Sequence, residues 1–496
     1  MWFEKKSAPD WHESFVADVR HVFEAKDLSF EQATEALRTA DGTRLLDFDI
    51  RARRGYNYDG HPGRKREHSI LKVALGDPEH ADVFLFYKSC SNNGFLREEA
   101  LRALRGHHGR LVCAAALIRV EDWVPQVADI SLRLLQDLAA IDTAVHFFEF
   151  LDLIAALRSR ERFKPHWAAT LEPMLLLPKW RDARRGSILS GDAASRRLAH
   201  ELIRCADADS ANDALRIAID DSSPLVALWA LAKLDDPIDV ALRQEALRAG
   251  MRSRLASVRS DALRRYCRAD YSDLRVILET ALFDSAHSVR GVAAFQLKAL
   301  FDESALVRWR RAFDEGNRGE AVVMALAEFG DAEDAPRLRS QLARDSGRIR
   351  ALALRGIMRM GAVDSNELLQ TALRDTSSHV VGAAIAAYSR GLDRLEQDML
   401  RQALAHARSA AIRVRLISAS RLLAKWDRLQ FLLDLHTSCA DTEFPALAAA
   451  VRRWIGNANN SFIQPPPEQR LLIRHALENA RSRHPAMFWD QVVHLL

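Results

Sequence analysis

The chain has 496 residues, of which 48% are hydrophobic and 28% are charged, and its formal net charge is only +4. These proportions are ordinary for a folded protein and exclude a disordered chain. No uncharged apolar run of about 18 residues occurs, and the first residues lack the apolar core of a signal peptide, so the sequence predicts neither a membrane span nor secretion. The cysteines stand singly without a CxxC pair, which favours a reducing, cytoplasmic compartment over a disulfide framework.

The first 90 residues differ from the rest of the chain, and we predict that they form a helical N-terminal cap. Residues 30–37 and 45–53 have helical patterns, and a basic loop rich in Gly, Pro and Asn follows at 53–66. Basic side chains interleaved with tyrosines neutralise phosphates and stack on bases, so this loop is a candidate nucleic-acid site; the alternative is a solvated connection. The candidate residues are Arg53, Arg54, Tyr56, Tyr58, Arg64, Lys65 and Arg66.

A repeating pattern occupies residues 91–455. In its clearest copy, Val289-Arg290 is followed by Ala293 and Leu297, and successive copies from residue 195 to residue 444 are separated by 30 to 33 residues. Each period contains two amphipathic helical patterns joined by a turn with Asp and Ser, and strand signals are nearly absent. A fixed period of this length predicts an array of stacked helical pairs.

Three features of this pattern resemble the HEAT-like repeats of bacteria, of the PBS-lyase type: the Asp turn, the Val-Arg pair and the small residue that permits close packing. The resemblance covers about three-quarters of the chain. It implies an all-α fold, an α-α superhelical solenoid of about 11–12 two-helix repeats of about 31 residues each. It also implies that the second helix of each pair lines the concave side.

Two segments depart from the repeat. Residues 128–194 are helical but off-pattern and contain Pro165, Pro173 and Pro178, which predicts a degenerate repeat with a bend or an inserted loop. Residues 456–496 begin with a break rich in Asn and Pro and end in helical patterns, which predicts C-terminal capping helices.

The second helices predicted over 289–300, 349–360, 380–391, 412–426 and 444–455 contain basic residues but no Asp or Glu. A stripe of one charge sign attracts an anionic partner. The helix at 319–330 interrupts the run with Glu320 and Glu328. The stripe comprises Arg290, Lys298, Arg350, Arg355, Arg359, Arg413, Arg415, Arg421, Arg452 and Arg453, together with Arg390 and Lys425.

A structural interpretation competes with binding for part of this stripe. Arg290, Arg350 and Arg413 occupy the repeat's own Arg position and are candidates for a ladder with turn aspartates such as Asp284 and Asp345. Without those three, nine basic residues and no acidic residue remain. Of the 71 basic residues 60 are arginine, which indicates either a generic helix-surface residue or the recognition of anions.

No catalytic or metal-binding motif occurs, so the sequence predicts no catalytic residue, no metal and no cofactor. The favoured function is a non-catalytic, cytoplasmic scaffold that binds another protein along its concave face. The alternative is a nucleic-acid-binding protein that uses the stripe and the 53–66 loop. One form of it would resemble the HEAT-like alkylpurine DNA glycosylases, although no residue here matches their catalytic motif. The oligomeric state stays open.

Overall fold

The computed structural model describes residues 10–25, 27–55, 70–141, 145–206, 208–361, 365–436, 438–458, 463–483 and 489–494. All regular structure in these residues is helical, and no strand occurs among them. The all-α prediction is therefore confirmed. The chain divides into two compact units, Met1–Ala269 and Asp270–Leu496.

Unit 1 contains eighteen α-helices in its described residues. They are α1 (Asp10–Val22), α2 (Phe30–Thr39), α3 (Gly42–Gly55), α4 (Ile70–Gly76), α5 (Ala81–Ser89), α6 (Gly94–Ala103), α7 (Arg110–Arg119), α8 (Pro125–Ala140), α9 (Val145–Glu149), α10 (Leu151–Leu157), α11 (Phe163–His166), α12 (Glu172–Leu175), α13 (Arg181–Gly186), α14 (Ala193–Ala206), α15 (Ala208–Ile219), α16 (Pro224–Lys233), α17 (Val240–Met251) and α18 (Ala256–Tyr266).

Unit 2 contains fourteen α-helices in its described residues. They are α19 (Leu274–Ala281), α20 (His287–Phe301), α21 (Ala305–Asp314), α22 (Glu320–Phe329), α23 (Ala335–Arg339), α24 (Gly347–Arg359), α25 (Ser365–Leu373), α26 (Ser378–Ser389), α27 (Gln397–His406), α28 (Ala410–Ala419), α29 (Lys425–Leu435), α30 (Phe444–Asn457), α31 (Pro467–Arg483) and α32 (Trp489–Val493).

The helices of unit 2 form pairs, and the pairs stack. Each odd-numbered helix from α19 to α29 packs on the helix that follows it, and these are the first and second helices of the repeats. The second helices α20, α22, α24, α26, α28 and α30 also pack on one another in that order, while α25, α27 and α29 pack as neighbouring first helices. The period of the sequence thus becomes a layer of first helices against a layer of second helices.

Small residues set how closely the second helices approach. Gly356 in α24 lies so near α22 that an added Cβ would be 2.7 Å from the Cα of Ala327 and 2.8 Å from its Cβ. Both distances are shorter than a real side chain tolerates, so any larger residue would push the two helices apart. The small residue of the repeat therefore has a packing function.

The N-terminal helices of unit 1 share a continuous buried core with the helices that follow them. The rings of Phe15 in α1 and Phe48 in α3 pack against Tyr87 in α5, with centroids 5.6 and 6.1 Å away. One cluster of buried side chains extends from Phe15 to Leu202. The helices that flank residues 91–455 pack on the adjacent repeats, as α4 does on α6 and α31 does on α29.

The predicted irregular segment, 128–194, begins within the long helix α8 and continues from Val145 to Gly186 as short helical pieces. Helices α9 to α13 have four to seven residues each, and a π-helical turn at Trp167–Leu171 separates α11 from α12. A proline removes a backbone donor and prevents a regular helix from continuing, and Pro165, Pro173 and Pro178 lie in three consecutive pieces. These prolines account for the loss of the repeat here.

An arginine–aspartate clamp joins consecutive turns of the repeat, and three examples within the described residues share the same geometry. In unit 2, the Nε and Nη2 atoms of Arg350 donate to the carboxylate of Asp375 at 3.0 and 2.7 Å, and Nη1 donates to the carbonyls of Arg344 and Asp345. In unit 1, Arg97 binds Asp122 and Arg196 binds Asp221 in this way, again 25 residues apart.

Each clamp aspartate also builds its own turn. The carboxylate of Asp375 accepts the backbone N–H of Ser377 at 2.7 Å, and Asp221 and Asp122 accept the N–H two residues on in the same manner. One carboxylate therefore orders the turn that starts a second helix and fixes that turn to the preceding repeat. The bidentate hydrogen bonds that Arg350 donates to Asp375 raise the pKa of Arg350 above its usual range, although burial opposes the shift.

We predict that Asp375→Ala destabilises the protein. The substitution leaves the partly buried guanidinium of Arg350 without its carboxylate, and the loss of a hydrogen bond to a charged group costs about 2 kcal/mol of unfolding free energy. Thermal unfolding monitored by circular dichroism should show a lower midpoint.

Glu315→Ala is the matched control. It removes an ion pair with Arg311 whose two side chains are 61% and 78% exposed, so the midpoint should not change measurably. Equal midpoints for Asp375→Ala and the wild type would contradict a structural role of the clamp.

Candidate binding surface

Three arginines of the predicted stripe are structural. Arg350 belongs to a clamp, and Arg413 donates to Glu443 through Nε at 2.5 Å and through Nη2 at 3.2 Å. Arg290 is fully buried, donates from Nη1 to the carbonyl of Asp284 at 2.5 Å and pairs with Glu328. Listing Arg290 as a partner-binding residue was wrong, because none of its surface is accessible.

The ladder exists, but its carboxylates are not those that we expected. Arg290 and Arg350 meet the backbone oxygens of Asp284 and Asp345, while their acidic partners come from elements later in the chain. The carboxylate of Asp284 accepts the N–H of Ala286 within its own turn. A turn aspartate thus orders its own turn, and the arginine in the same turn binds a later acid.

The two acids that interrupt the basic run have defined partners. Glu328 of α22 pairs with Arg290, and Glu320 of the same helix lies 2.6 Å from Nε of Arg348. They neutralise arginines of the helices on either side of α22. The two acidic residues that interrupt the basic run therefore form ion pairs between neighbouring second helices.

Two further members of the stripe are engaged locally. Nε of Arg359 donates to the carbonyl of Ala327 at 2.8 Å, and Nη2 donates to that of Gly330, so this side chain satisfies oxygens at the end of α22. Lys298 pairs with Asp302 at 2.5 Å on an exposed face. Lys298 is therefore neutralised by a carboxylate, whereas the donors of Arg359 are occupied by backbone carbonyls.

The remaining stripe arginines are exposed. Arg355, Arg415, Arg421 and Arg453 form no side-chain hydrogen bond or ion pair within the described part of the chain, and Arg452 is exposed as well. Arg415 of α28 reaches across to α26, because a Cβ added at Gly382 would lie 2.7 Å from its Nη1. Helices α24, α26, α28 and α30 contain no acidic residue.

We call the outward side of these four helices the second-helix face. Apart from arginine, many of its partly or fully exposed positions are small or weakly polar, and larger apolar side chains are partly exposed at Leu352, Ile385, Val414, Phe444 and Ile455. The small or weakly polar positions include Gly382, Ala386, Ala411, Ser418, Ala449 and Gly456. These small side chains allow another backbone to approach closely, while the arginines provide positive charge. This arrangement suits an extended acidic chain.

The predicted basic loop lies mostly outside the described residues. Arg53 and Arg54 are in α3, which continues to Gly55, so placing them in a loop was wrong: the helix does not end at residue 53. Nε of Arg53 lies 3.2 Å from Asp49 one turn earlier. Tyr56, Tyr58, Arg64, Lys65 and Arg66 are among the residues that are not described.

Sequence reasoning missed a buried ion cluster in unit 1. Asp49 and Asp122 share three arginines: Arg97 binds Asp122 in a clamp, Arg119 contacts both carboxylates, and Arg53 lies 3.2 Å from Asp49 and 3.6 Å from Asp122. A cavity of about 440 Å³ adjoins the cluster. The only signal in the sequence was the repeat's own Leu96-Arg97 pair, because the other members come from three different helices or turns.

Burial controls the protonation of this cluster. It raises the pKa of Asp49 to about 6, although Arg53 acts in the opposite direction. Glu121, at the rim of the same cavity, also has a raised pKa because it is partly buried, and it pairs with Arg160. Each of these three carboxylates already has an arginine partner, which is the arrangement of a structural cluster.

No metal-binding geometry appears in the residues described: no three His, Cys, Asp or Glu side chains are grouped to hold an ion. A search of the same residues for a helix long and apolar enough to cross a membrane found none.

Comparison with known proteins identifies no family. No family model matches the chain, and no curated protein matches its sequence. Solved structures do match, and one of them is a chain from a structure of the Pds5-Scc1 complex. It is 13% identical, the match covers 98% of this chain and 92% of that chain, and the TM-score is 0.25. A likeness this weak supports no inference about function.

We predict that Asp49 gives unfolding a distinctive pH dependence. Its folded pKa, about 6, lies above the value of an unfolded aspartate, about 4, so between these values the folded chain holds a proton that the unfolded chain releases. This group therefore stabilises the fold increasingly as the pH falls from about 6 to about 4. As the pH falls through this range, the unfolding midpoint of the wild type should therefore rise relative to that of Asp49→Asn.

Asp47→Asn is the control, because Asp47 is an exposed residue of the same helix that pairs with Arg51. Its midpoint should stay parallel to the wild type between the same pH values. A constant difference between the wild type and Asp49→Asn would show that burial does not shift the titration of Asp49.

Proposed function

We propose that the protein is a non-catalytic scaffold of the HEAT-like type, and that unit 2 binds an acidic segment of another protein along the second-helix face. One observation carries this proposal. After every clamped, capping and paired arginine is set aside, Arg355, Arg415 and Arg453 remain exposed on helices that contain no carboxylate. Exposed charge of one sign that is not neutralised within the fold favours an anionic partner.

The distribution of charge favours a protein over a nucleic acid. Proteins that bind nucleic acids neutralise a series of phosphates with closely spaced cations. Helix α26 itself contains no Lys or Arg, its C-cap residue Arg390 is exposed, and the face before it is lined by His379, Gly382 and Ala386. Widely spaced arginines over small side chains suit an extended peptide with acidic residues at intervals. Nucleic-acid binding through this face stays the alternative.

We predict that Arg355→Glu combined with Arg415→Glu weakens partner binding at least about tenfold, because two attractive charges become repulsive. The test is affinity capture from the protein's own cells with and without nuclease, identification of the captured protein, and titration of the purified pair at several salt concentrations. Binding by the wild type should survive nuclease and weaken as salt rises.

Arg394→Glu combined with Arg408→Glu is the matched control. Both arginines are exposed in connections of unit 2, so the net charge changes equally while the second-helix face is intact. Equal loss of binding in the two double variants would refute the assignment of the surface. Capture that disappears with nuclease would favour the nucleic-acid alternative.

A further inference from the structure

One arginine of unit 2 is buried without a carboxylate. Arg428, in the first turns of α29, is 8% exposed, and its Nη2 donates to the carbonyl of Ala450 in α30 at 3.2 Å. Its Nε is buried and has no hydrogen-bond partner, and no acidic side chain among the described residues lies within ion-pair distance. A buried charge in this state is strongly unfavourable unless something neutralises it.

Two more arginines approach this position from other elements. Arg453 follows Ala450 by three residues, which places it about one helical turn further along the same side of α30. Arg421 lies in the short 3-10 turn Ser420–Leu422, which packs directly against α29. Both are exposed, and neither has an ion pair or a side-chain hydrogen bond within the described residues. Three cations therefore lie on three elements that pack against one another at this repeat.

The acids of α29 do not neutralise them. Asp427 accepts a hydrogen bond from Gln469 of α31 at 2.6 Å, and Asp434 pairs with Arg401 of α27. The indole of Trp454 donates to the carbonyl of Lys425 at 2.8 Å, which holds the start of α29 against α30. Helix α29 also begins without a side-chain cap, so its first N–H groups are not satisfied by a neighbouring side chain.

The electrostatics of Arg428 agree with this geometry. Burial lowers its pKa, and the positive charges of Arg453 and Arg421 lower it further. Arginines that bind a carboxylate show the opposite shift. The pKa values of Arg350 and Arg310, for example, are raised above the usual range by Asp375 and Asp334. Arg428 differs because its neighbours are cations.

We propose that Arg428, Arg421 and Arg453 form a binding site for a phosphate group. Three convergent positive charges match a dianionic tetrahedral group better than a single carboxylate, and guanidinium groups donate two hydrogen bonds at once to its oxygens. The buried Arg428 forms the floor of the site, and the two exposed arginines form its rim. The site shares Arg453 with the second-helix face but needs neither Arg355 nor Arg415, so the phosphate site and the proposed function can fail separately.

The test measures phosphate binding to the full chain. Calorimetry and thermal unfolding at constant ionic strength would compare inorganic phosphate, a short phosphoserine peptide and acetate. Phosphate should raise the unfolding midpoint saturably and acetate should not. Binding of inorganic phosphate indicates a free phosphate ligand, whereas binding of the peptide alone indicates a phosphorylated partner; binding of neither would overturn the proposal.

Replacing Arg428 and replacing Arg350 by methionine should have opposite effects on the unfolding midpoint and on the response to phosphate. Arg428→Met removes an uncompensated charge, so the midpoint without phosphate should stay or rise, while the phosphate response should disappear. Arg350→Met, the control, leaves Asp375 without its partner, so the midpoint should fall while the phosphate response persists. A phosphate response in Arg428→Met equal to that of the wild type would refute the site.

The exposed arginines keep the proposal testable if Arg428→Met does not fold. Arg421→Gln and Arg453→Gln alter only exposed side chains, and each should raise the phosphate Kd about tenfold or more, since a hydrogen bond between charged groups is lost. Unchanged affinity in both variants would mean that the three arginines do not act together.

Discussion

The bidentate contact between an arginine of one turn and the aspartate of the next underlies the stacking of this protein. Arg350 and Asp375 illustrate it: the guanidinium fork uses two N–H groups for the carboxylate and a third for the carbonyls of the turn before its own helix. The carboxylate meanwhile orders its own turn. A helical pair alone would leave these polar groups unsatisfied at the edge of its core, so each repeat is completed by the next.

That constraint changes how the arginines of the chain are interpreted. A count from the sequence treats Arg290, Arg350 and Arg355 alike, as cations on helices without acids. In the fold Arg290 is buried and paired, Arg350 is clamped, and only Arg355 presents its charge to solvent. The arginines available to a partner are those that are neither buried nor bound to a carboxylate. They are fewer and more localised than the basic residues counted in the sequence.

The period of the sequence was sufficient to predict the all-α fold and the pairing of helices, because small and apolar residues recur at helical spacing. It was also sufficient to suggest a ladder, but not its partners, since Arg413 finds Glu443 and Arg290 finds Glu328 at spacings that differ from the common one. The cluster around Asp49 and the unneutralised Arg428 were not predictable. Both depend on side chains from several helices that meet only in three dimensions.

The most direct test of the account is hydrogen–deuterium exchange of the protein alone and with its captured partner. If unneutralised arginines mark the binding surface, protection should increase in the second helices α24, α26, α28 and α30 and stay unchanged in the first helices α25 and α27. Protection confined to the first helices, or to the unit that precedes Asp270, would contradict the account.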